Sequence, residues 1–549
     1  MMPLPCDLVF GAVYNLNATV LGSLIVIYAV VIGYLGIRGF RKTKNSQDYL
    51  LAGRSVNPFV MAMSYGAAFI STSALVGFGG IAGQFGMGLM WLVFMNIAFG
   101  IVLAFIVFGH RTRRIGVELD AKTFPEFIGR RFCSSTMKYF IAAVIFIFIP
   151  LYSSVVLISG ARFLQEVMGV PYSWALGVFA AVVAVYVIFG GLKGVMYVDA
   201  LMGTVMICGM LLLIIMCYIR LGGVVPAHEK LTEMASLVSS RLPQEYALGH
   251  RGWTVMPEFN SVWWWTLVSS LMLGVGVGAL AQPQLAVRFM TVKSGRELNR
   301  AVLVGSIFIL CTAGSAYMTG ALSNVFFMHP EIGLSSRAPQ LAIEAAGGNP
   351  DLIIPMFIKE ALPPVVLYIF SLTMLSAAMS TLSSLFHVAG TSLGHDLCGN
   401  LSCKSLSSMN ISRIGVCAGI ILSVICAMIL PPGVVARGTA IFFGICAAAF
   451  LPAYIAALYW KRATGVGVWA GVASGSFVTV FGLLFLHRKE AAWLGICKYL
   501  TGREVLIDIH PFPVVDPFVY ALPISVIVLV AVTLLTAPPE KEHIDRLFK

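Results

Sequence analysis

Two stretches of hydroxyl-bearing residues lie inside long apolar runs, where they could bind a cation. In the first, around 64–74, Ser71, Thr72 and Ser73 follow several small residues, and in the second, 376–384, five hydroxyls occur in nine residues. Hydroxyl oxygens and the carbonyl oxygens of a broken helix are suitable ligands for a hard cation such as Na⁺. Close helix packing explains the first stretch equally well, whereas the hydroxyl density of the second favours a site over bonds within its own helix.

An acidic residue, Asp199, lies about one turn inside another apolar run, shortly after Lys193. Ionisable groups at membrane depth usually mark a transport path or a binding site. Asp199 is therefore a candidate cation ligand or proton carrier. An ion pair with Lys193 at the membrane surface is an equally good interpretation.

Helix breaks are expected in two of these runs. Glycines weaken the run that contains Ser71, and a later run combines alternating glycines at 274–278 with Gln282-Pro283. Proline removes a helical hydrogen bond and kinks or ends the helix. The two breaks are five spans apart, which is the spacing of an inverted repeat with its binding site at the interface between the repeats.

The composition requires a lipid environment for these elements. Of 549 residues, 59% are hydrophobic and 11% are charged, and the mean hydropathy is +0.90. Soluble domains carry about 25% charged residues. The net charge of +12 does not indicate nucleic-acid binding, because the basic residues form short clusters between apolar runs. No phosphate-binding loop typical of an ATP-driven pump is present in the sequence.

Thirteen apolar runs are long enough to cross a bilayer, each of about 20 residues. They lie near 16–37, 59–80, 88–109, 139–164, 172–189, 196–219, 262–281, 301–327, 364–390, 414–430, 439–459, 468–486 and 517–536.

Basic residues accumulate in alternate loops between these runs. One set of loops and the C-terminal tail hold 24 of the 36 Lys and Arg residues, among them Arg54, Lys193 and Arg288. Such loops are cytoplasmic under the positive-inside rule. We therefore predict a multi-pass plasma-membrane protein with the N-terminus outside and the C-terminus in the cytoplasm.

Several short motifs, in their order and spacing, make the chain resemble the sodium:solute symporter family of proline, pantothenate, sialic acid, galactose and monocarboxylate carriers. The resemblance runs from about Asp48 to Thr536. The motifs are Asp48-Tyr-Leu-Leu-Ala-Gly-Arg-Ser55, Thr123-Phe-Pro-Glu-Phe127, Gly190-Gly-Leu-Lys-Gly-Val195 with Asp199, Gln282-Pro283 with Arg288-Phe-Met290, Ala377-Ala-Met-Ser-Thr-Leu-Ser383 and Tyr459-Trp-Lys-Arg-Ala-Thr464.

The resemblance implies an all-α membrane protein with the leucine-transporter fold, a five-plus-five inverted repeat. The chain would then be one transport domain, 1–549, with an extra helix at 16–37, a core at 59–459, two helices at 468–536 and a tail at 537–549. The implied sodium ligands are the carbonyls of Ala67, Ile70 and Ala377 and the hydroxyls of Ser380 and Thr381. A possible second sodium site comprises Asp199, Ser383 and Ser384.

The family's solute pocket maps onto two regions of this chain. The first contributes Ser71, Thr72 and Tyr152, and the second is the segment 274–282, with Val275, Ala279 and Gln282. Proline carriers have large aromatic residues in that segment, so Val275 and Ala279 argue against proline. The run 285–292 is nearer to the monocarboxylate and acetate carriers.

These observations predict a sodium-coupled symporter, not an enzyme, which imports a small organic solute by alternating access. An organic acid is favoured. The alternatives are a symporter for an amino acid (proline included), pantothenate or a sugar, a proton-coupled carrier and, more remotely, a channel or solute sensor. The expected partners are the solute, Na⁺ as coupling ion and the lipid bilayer, with no other cofactor and no nucleic acid. The protein is expected to be a monomer or a weak homo-oligomer.

Overall fold

The computed structural model describes residues 18–43, 46–333, 338–398, 408–431 and 433–548, and this part of the chain contains helices and no strand. Eleven of its helices are long and apolar enough to cross a membrane. Two shorter apolar helices, Pro58–Phe69 and Tyr172–Ala184, accompany them. The all-α prediction is confirmed for the described residues, and the count of thirteen spans stays a prediction.

The main helices, in chain order, are α1 (Ala18–Lys42), α2 (Pro58–Phe69), α3 (73–85), α4 (90–118), α5 (Phe124–Arg131), α6 (Ser135–Met168), α7 (Tyr172–Arg220), α8 (Val262–Ala281), α9 (Pro283–Phe289), α10 (Gly295–Met328), α11 (Pro364–Leu397), α12 (Ser408–Ile429), α13 (Val435–Tyr459), α14 (Gly465–Leu486), α15 (Phe518–Leu535) and α16 (Lys541–Leu547). The loops contain shorter helices, including Ser46–Leu51, Val224–Glu233, Ala235–Arg241, Ile353–Ala361, Arg488–Leu494 and Ile496–Thr501.

The helices that carry the polar residues begin at residues suited to a helix N-terminus. The Asn57 side chain accepts a hydrogen bond from the Val60 N–H at 2.8 Å, and Pro58 is the first residue of α2. The Thr123 hydroxyl accepts a bond from the Glu126 N–H at 3.1 Å at the start of α5. Each such cap contributes about 1 kcal/mol to the stability of its helix.

Helix α7 joins the predicted fifth and sixth spans through a kink at Gly191. This residue has φ 56° and ψ −174°, a conformation that favours glycine. A β-carbon at Gly191 would also lie 2.6 Å from the Tyr49 ring. The kink places Asp199 about two helical turns into the second part of α7.

Among the eleven helices long enough to cross a membrane, α11 and α13 are the most buried, whereas α1, α14 and α15 are largely exposed. Helix α11 packs against α2, α6 and α7, and α13 packs against α6 and α8. Helix α1 lies on α7, and α14 and α15 pack together. The polar stretch of α11 is thus surrounded by protein, which is the only setting in which so many hydroxyls are tolerated at membrane depth.

Candidate functional site

The predicted second span is broken between α2 and α3. The Ile70 backbone is extended, with φ −91° and ψ 102°. The Ile70 N–H bonds to the Gly66 carbonyl at 2.8 Å, and past the break the Ala74 N–H bonds to the Ser71 carbonyl at 3.0 Å. The last carbonyls of α2 and the N–H groups of 71–73 therefore stand at helix ends, where backbone groups lack partners within the helix.

The carbonyl end of this break meets α11 at a group of uncharged oxygens, which we call the neutral cluster: Ala67, Ile70, Ala377, Ser380 and Thr381. The Ser380 Oγ lies 2.8 Å from the Ala67 carbonyl oxygen and 3.2 Å from that of Ala377. The Thr381 hydroxyl donates to the Ala67 carbonyl at 3.3 Å. These contacts join four of the five predicted sodium ligands, and Ile70 is the residue at the break itself.

The neutral cluster fits a sodium ion by its chemistry. All five residues are buried, and their ligand atoms are neutral carbonyl and hydroxyl oxygens, which suit a hard cation. In the part of the chain that the structure describes, no charged side chain bonds to Ala67, Ser380 or Thr381. A cation would therefore supply the only full charge at this position. Sodium binding here stays a prediction.

About one turn farther along α11 lies a second group, which we call the charged cluster: Ser64, Asp199, Arg288, Ser383 and Ser384. Arg288 Nη2 donates to Asp199 Oδ2 at 2.9 Å and to Ser384 Oγ at 2.6 Å. The Ser64 hydroxyl donates to Asp199 Oδ2 at 3.0 Å. Ser383 Oγ lies 3.3 Å from Oδ1 and 2.8 Å from the Ser380 carbonyl oxygen. The three predicted second-site residues thus meet, but they meet around a guanidinium.

Two sequence interpretations are wrong at the charged cluster. Lys193 binds Asp48 at 3.1 Å, so it is not the partner of Asp199. Arg288, which was grouped with the basic loop residues, is 1% exposed. The reason is that α9 follows the break at Pro283 and packs against α2 and α11, which brings the Arg288 side chain to Asp199.

The predicted solute residues next to the first break are buried together. The Thr72 hydroxyl donates to the Val156 carbonyl of α6 at 3.2 Å, which ties the break to α6. The Tyr152 hydroxyl lies next to Ser71. The Tyr152 ring is stacked on Phe442 of α13, with 4.7 Å between the centroids and 11° between the planes.

Phe442 and Phe443 of α13 also lie at this site, although no sequence motif marks them. The Phe443 ring is perpendicular to Tyr152 at 5.8 Å and nearly parallel to Phe69 at 6.2 Å. Phe69, Tyr152, Phe442 and Phe443, which we call the aromatic wall, are buried and connected by ring contacts. Phe69 is the last residue of α2, so the aromatic wall begins directly before the break. Two adjacent phenylalanines in an apolar span look like ordinary packing residues, so no sequence signal distinguished them.

The second predicted break is present between α8 and α9. Gln282 is extended, with φ −67° and ψ 123°, and Pro283 begins α9. The Gln282 side-chain oxygen accepts a hydrogen bond from the side-chain amide of Gln284. Gln282 Nε2 has no hydrogen-bond partner within the described ranges. Both glutamines are buried.

The predicted solute residues of this second segment lie on α8 towards α13 and α4. Val275 and Ala279 are buried, and Ala279 packs beside Gly100 of α4. A β-carbon at Gly278 would lie 2.1 Å from the Phe443 carbonyl oxygen, so only glycine allows this approach. Phe443 therefore links the second break to the aromatic wall.

A further ionic group, which we call the outer network, joins His487, Glu490 and Asp516 of the loop between α14 and α15 to Arg437 of α13. Glu490 binds the Arg437 guanidinium and His487 Nδ1. Burial alone would raise the pKa of Glu490, but His487 and Arg437 outweigh it and hold that pKa at about 2. Burial alone would lower the pKa of His487, but Glu490 and Asp516 raise it above its usual value of 6.5.

Comparison with a solved structure supports this architecture. The chain superposes on a Na⁺-coupled sialic acid symporter, solved in a substrate-bound outward-open state, with a TM-score of 0.72. The alignment covers 95% of this chain and 98% of that one, at 16% identity. At this identity the likeness shows the fold alone, and it confirms the predicted fold class.

Curated relatives of similar length are transporters. The osmoregulated proline transporter OpuE of Bacillus subtilis is 28% identical over 481 residues, which cover 87% of this chain and 90% of that protein. The sodium/pantothenate symporter of Haemophilus influenzae is 28% identical over 506 residues, which cover 89% and 97%. The model of the sodium:solute symporter family matches residues 49–475. The chain therefore belongs to the sodium:solute symporter family and is a transporter, not an enzyme.

Proposed function

We propose that this protein imports a small organic solute together with Na⁺ by alternating access, and that solutes with a carboxylate group are favoured. The observation that carries the proposal is the break between α2 and α3. It brings the Ala67 carbonyl oxygen to the hydroxyls of Ser380 and Thr381. It also leaves the N–H groups of 71–73 at the start of α3, shortly after Phe69 of the aromatic wall. A cation can thus bind to carbonyl oxygens at the end of α2, and an anionic group can bind to N–H groups at the start of α3, on the two sides of the break at 70–72.

Sodium would bind at the neutral cluster. The carbonyls of Ala67, Ile70 and Ala377 and the hydroxyls of Ser380 and Thr381 would hold it, and the hydroxyls would exchange their bonds to the Ala67 carbonyl for the ion. Sodium would then tie α2 to α11 and fix the geometry of the break. Because the solute binds the same break, the two affinities must be reciprocally coupled.

The solute carboxylate would bind the N–H groups of 71–73 at the start of α3. These are the first amides of a helical segment, where the helix dipole favours negative charge. The hydroxyls of Ser71 and Tyr152 would orient the group, and the aromatic wall would contact the apolar part of the solute. Val275, Ala279 and Gln282 would line the other side.

Other solutes and other coupling ions remain the competing hypotheses. The named relatives transport proline and pantothenate, both of which carry a carboxylate, so an amino acid or pantothenate would suit the same amides. A sugar would use the hydroxyls alone. Proton coupling through Asp199 would have to compete with Arg288 and two serines, which already contact this carboxylate. A channel or a sensor would not need two broken helices.

The proposal also includes the membrane location, the orientation and the oligomeric state of the protein. The basic loops support a plasma-membrane location with the N-terminus outside and the C-terminus in the cytoplasm. A monomer or a weak homo-oligomer would suffice, since both breaks and all three polar groups lie within one chain.

The test is uptake into proteoliposomes made with the purified full-length protein. Radiolabelled pyruvate, acetate, L-proline, D-pantothenate and D-galactose are supplied under an inward Na⁺ gradient, or under choline with the same membrane potential. We expect sodium to accelerate uptake of at least one carboxylate solute severalfold. Equal uptake of every solute with and without sodium would overturn the proposal. Faster uptake in sodium-free buffer at pH 5.5 would favour the proton-coupled carrier.

A further inference from the structure

Arg288 supplies a positive charge at the position of the predicted second sodium ion. Its guanidinium lies 2.9 Å from Asp199 Oδ2, and both side chains are at most 1% exposed. An isolated carboxylate at this depth would need a cation, and Arg288 already provides one. The charged cluster is therefore electrically neutral without any added ion.

The oxygen atoms that a second sodium would need are engaged in hydrogen bonds. Asp199 Oδ2 accepts from Arg288 and Ser64. Ser383 Oγ lies 2.8 Å from the Ser380 carbonyl oxygen and 3.3 Å from Asp199 Oδ1, so its single proton is shared between these two acceptors. The Ser384 hydroxyl accepts from Arg288 and donates to the Ser380 carbonyl at 3.0 Å. A sodium ion held by Asp199, Ser383 and Ser384 would have to share these atoms with the guanidinium.

The guanidinium is also firmly held in place. Nη1 donates to the Gln284 carbonyl at 2.7 Å, and Nε donates to the Ser64 hydroxyl at 3.2 Å. With the two bonds from Nη2, these contacts reach α2, α7, α9 and α11. Moving Arg288 aside to admit an ion would break four hydrogen bonds in a buried site.

We propose that Arg288 acts as a resident cation in place of a second sodium ion, so that this transporter couples one Na⁺, bound at the neutral cluster, to each solute. The inference rests on the proposed function, because it specifies the number of ions in that same transport cycle. It makes Arg288 a residue that determines ion stoichiometry.

The test counts bound sodium directly and needs no solute. Purified full-length protein in lipid nanodiscs is titrated with ²²Na⁺ at pH 8. We expect one ion per protein with a Hill slope of about one. Arg288→Gln should bind two, a twofold increase, because it leaves the Asp199 carboxylate without its partner. The double variant Asp199→Asn/Arg288→Gln should return to one.

Arg131→Gln is the matched control, because Arg131 is equally buried but donates to the carbonyls of Ala457 and Trp460. It should bind one ion. Two ions on the unaltered protein would overturn the inference and leave sodium symport standing. No bound ion would overturn the proposed function together with it. If Arg288→Gln does not fold, the count on the unaltered protein decides; if it folds and binds one, Arg288 is not what excludes the second ion.

Discussion

The neutral cluster and the charged cluster lie about one turn apart on α11, and both use pairs of hydroxyl-bearing residues of that helix. In the neutral cluster, Ser380 and Thr381 face the carbonyl oxygen of Ala67 at the break. In the charged cluster, Ser383 and Ser384 face a carboxylate and a guanidinium. The same residue types thus stand beside a position without charge in one case and beside a complete ion pair in the other.

The two clusters differ in the electrostatic interactions that a bound cation would have with charged side chains. Two positive charges 4 Å apart repel each other by about 4 kcal/mol at the effective dielectric constant of a protein. A sodium ion near Arg288 would meet this repulsion together with an attraction of similar size to Asp199, so the pair as a whole would offer it little net attraction. At the neutral cluster, no positive side chain of the described residues bonds to Ala67, Ser380 or Thr381. Serine content alone therefore does not define a sodium site. The charged side chains that neighbouring helices bring to the serines, here Asp199 of α7 and Arg288 of α9, also determine whether a cation can bind.

The strongest test of this comparison removes one partner of the buried pair. Asp199→Ala leaves Arg288 buried without a counter-charge, which should lower the free energy of unfolding by about 3–5 kcal/mol. The loss should be largely recovered in Asp199→Ala/Arg288→Gln, because no unpaired charge remains. Denaturant unfolding of the detergent-solubilised single and double variants measures this coupling.

The pair formed by Lys193 and Asp48 is the control for that experiment. Its side chains are 15–19% exposed, so Asp48→Ala should cost less than about 1 kcal/mol. If Asp199→Ala were as mild as Asp48→Ala, the charged cluster would not be the tightly coupled pair described above.

A smaller effect is expected at the neutral cluster, where a ligand is lost and no charge is stranded. Thr381→Ala should raise the sodium concentration for half-maximal binding about tenfold, equivalent to about 1.4 kcal/mol, with little change in stability. Thr373→Ala is the matched control, because its hydroxyl donates to the Ile369 carbonyl of the same helix at 3.0 Å. Unchanged sodium affinity in Thr381→Ala would remove this residue from the site.

The hydroxyls and the helix break of the neutral cluster were predictable because their signals are local, whereas only the family resemblance paired Ala67 with Ser380 and Thr381, which are 313 and 314 positions away. Hydroxyl density around Ser380 and the weak helix around Ser71 are visible within short windows, and the family motifs aligned the ligand positions. Gln282-Pro283 likewise marked the second break at the correct residues. Each of these features depends on neighbours in the chain.

The charged cluster and the aromatic wall depend on contacts that the sequence does not display. Asp199 and Arg288 are 89 positions apart, and a basic residue shortly after a proline break is typical of a cytoplasmic loop. Phe442 and Phe443 gain their position only because α13 packs against α6 and α8. Packing between segments that are distant in the sequence therefore brings Arg288 to Asp199 and places Phe442 and Phe443 against Tyr152.

The smallest predicted effect is a pH dependence of stability that originates in the outer network. It distinguishes this network from the neutral and charged clusters, because its groups titrate within the pH range in which unfolding can be measured. The pKa of His487 is raised in the folded protein, so its stabilisation is complete below about pH 6.5 and is lost as the pH rises through the folded value. Asp516, whose pKa burial raises to about 6, acts in the same direction at lower pH.

The unfolding temperature should therefore fall as the pH is raised from 6 to 9. His487→Gln should flatten this dependence, whereas Asp199→Asn/Arg288→Gln should keep it. An unchanged slope in His487→Gln would show that the dependence originates elsewhere, and a flat profile in the Asp199→Asn/Arg288→Gln variant would assign it to the charged cluster.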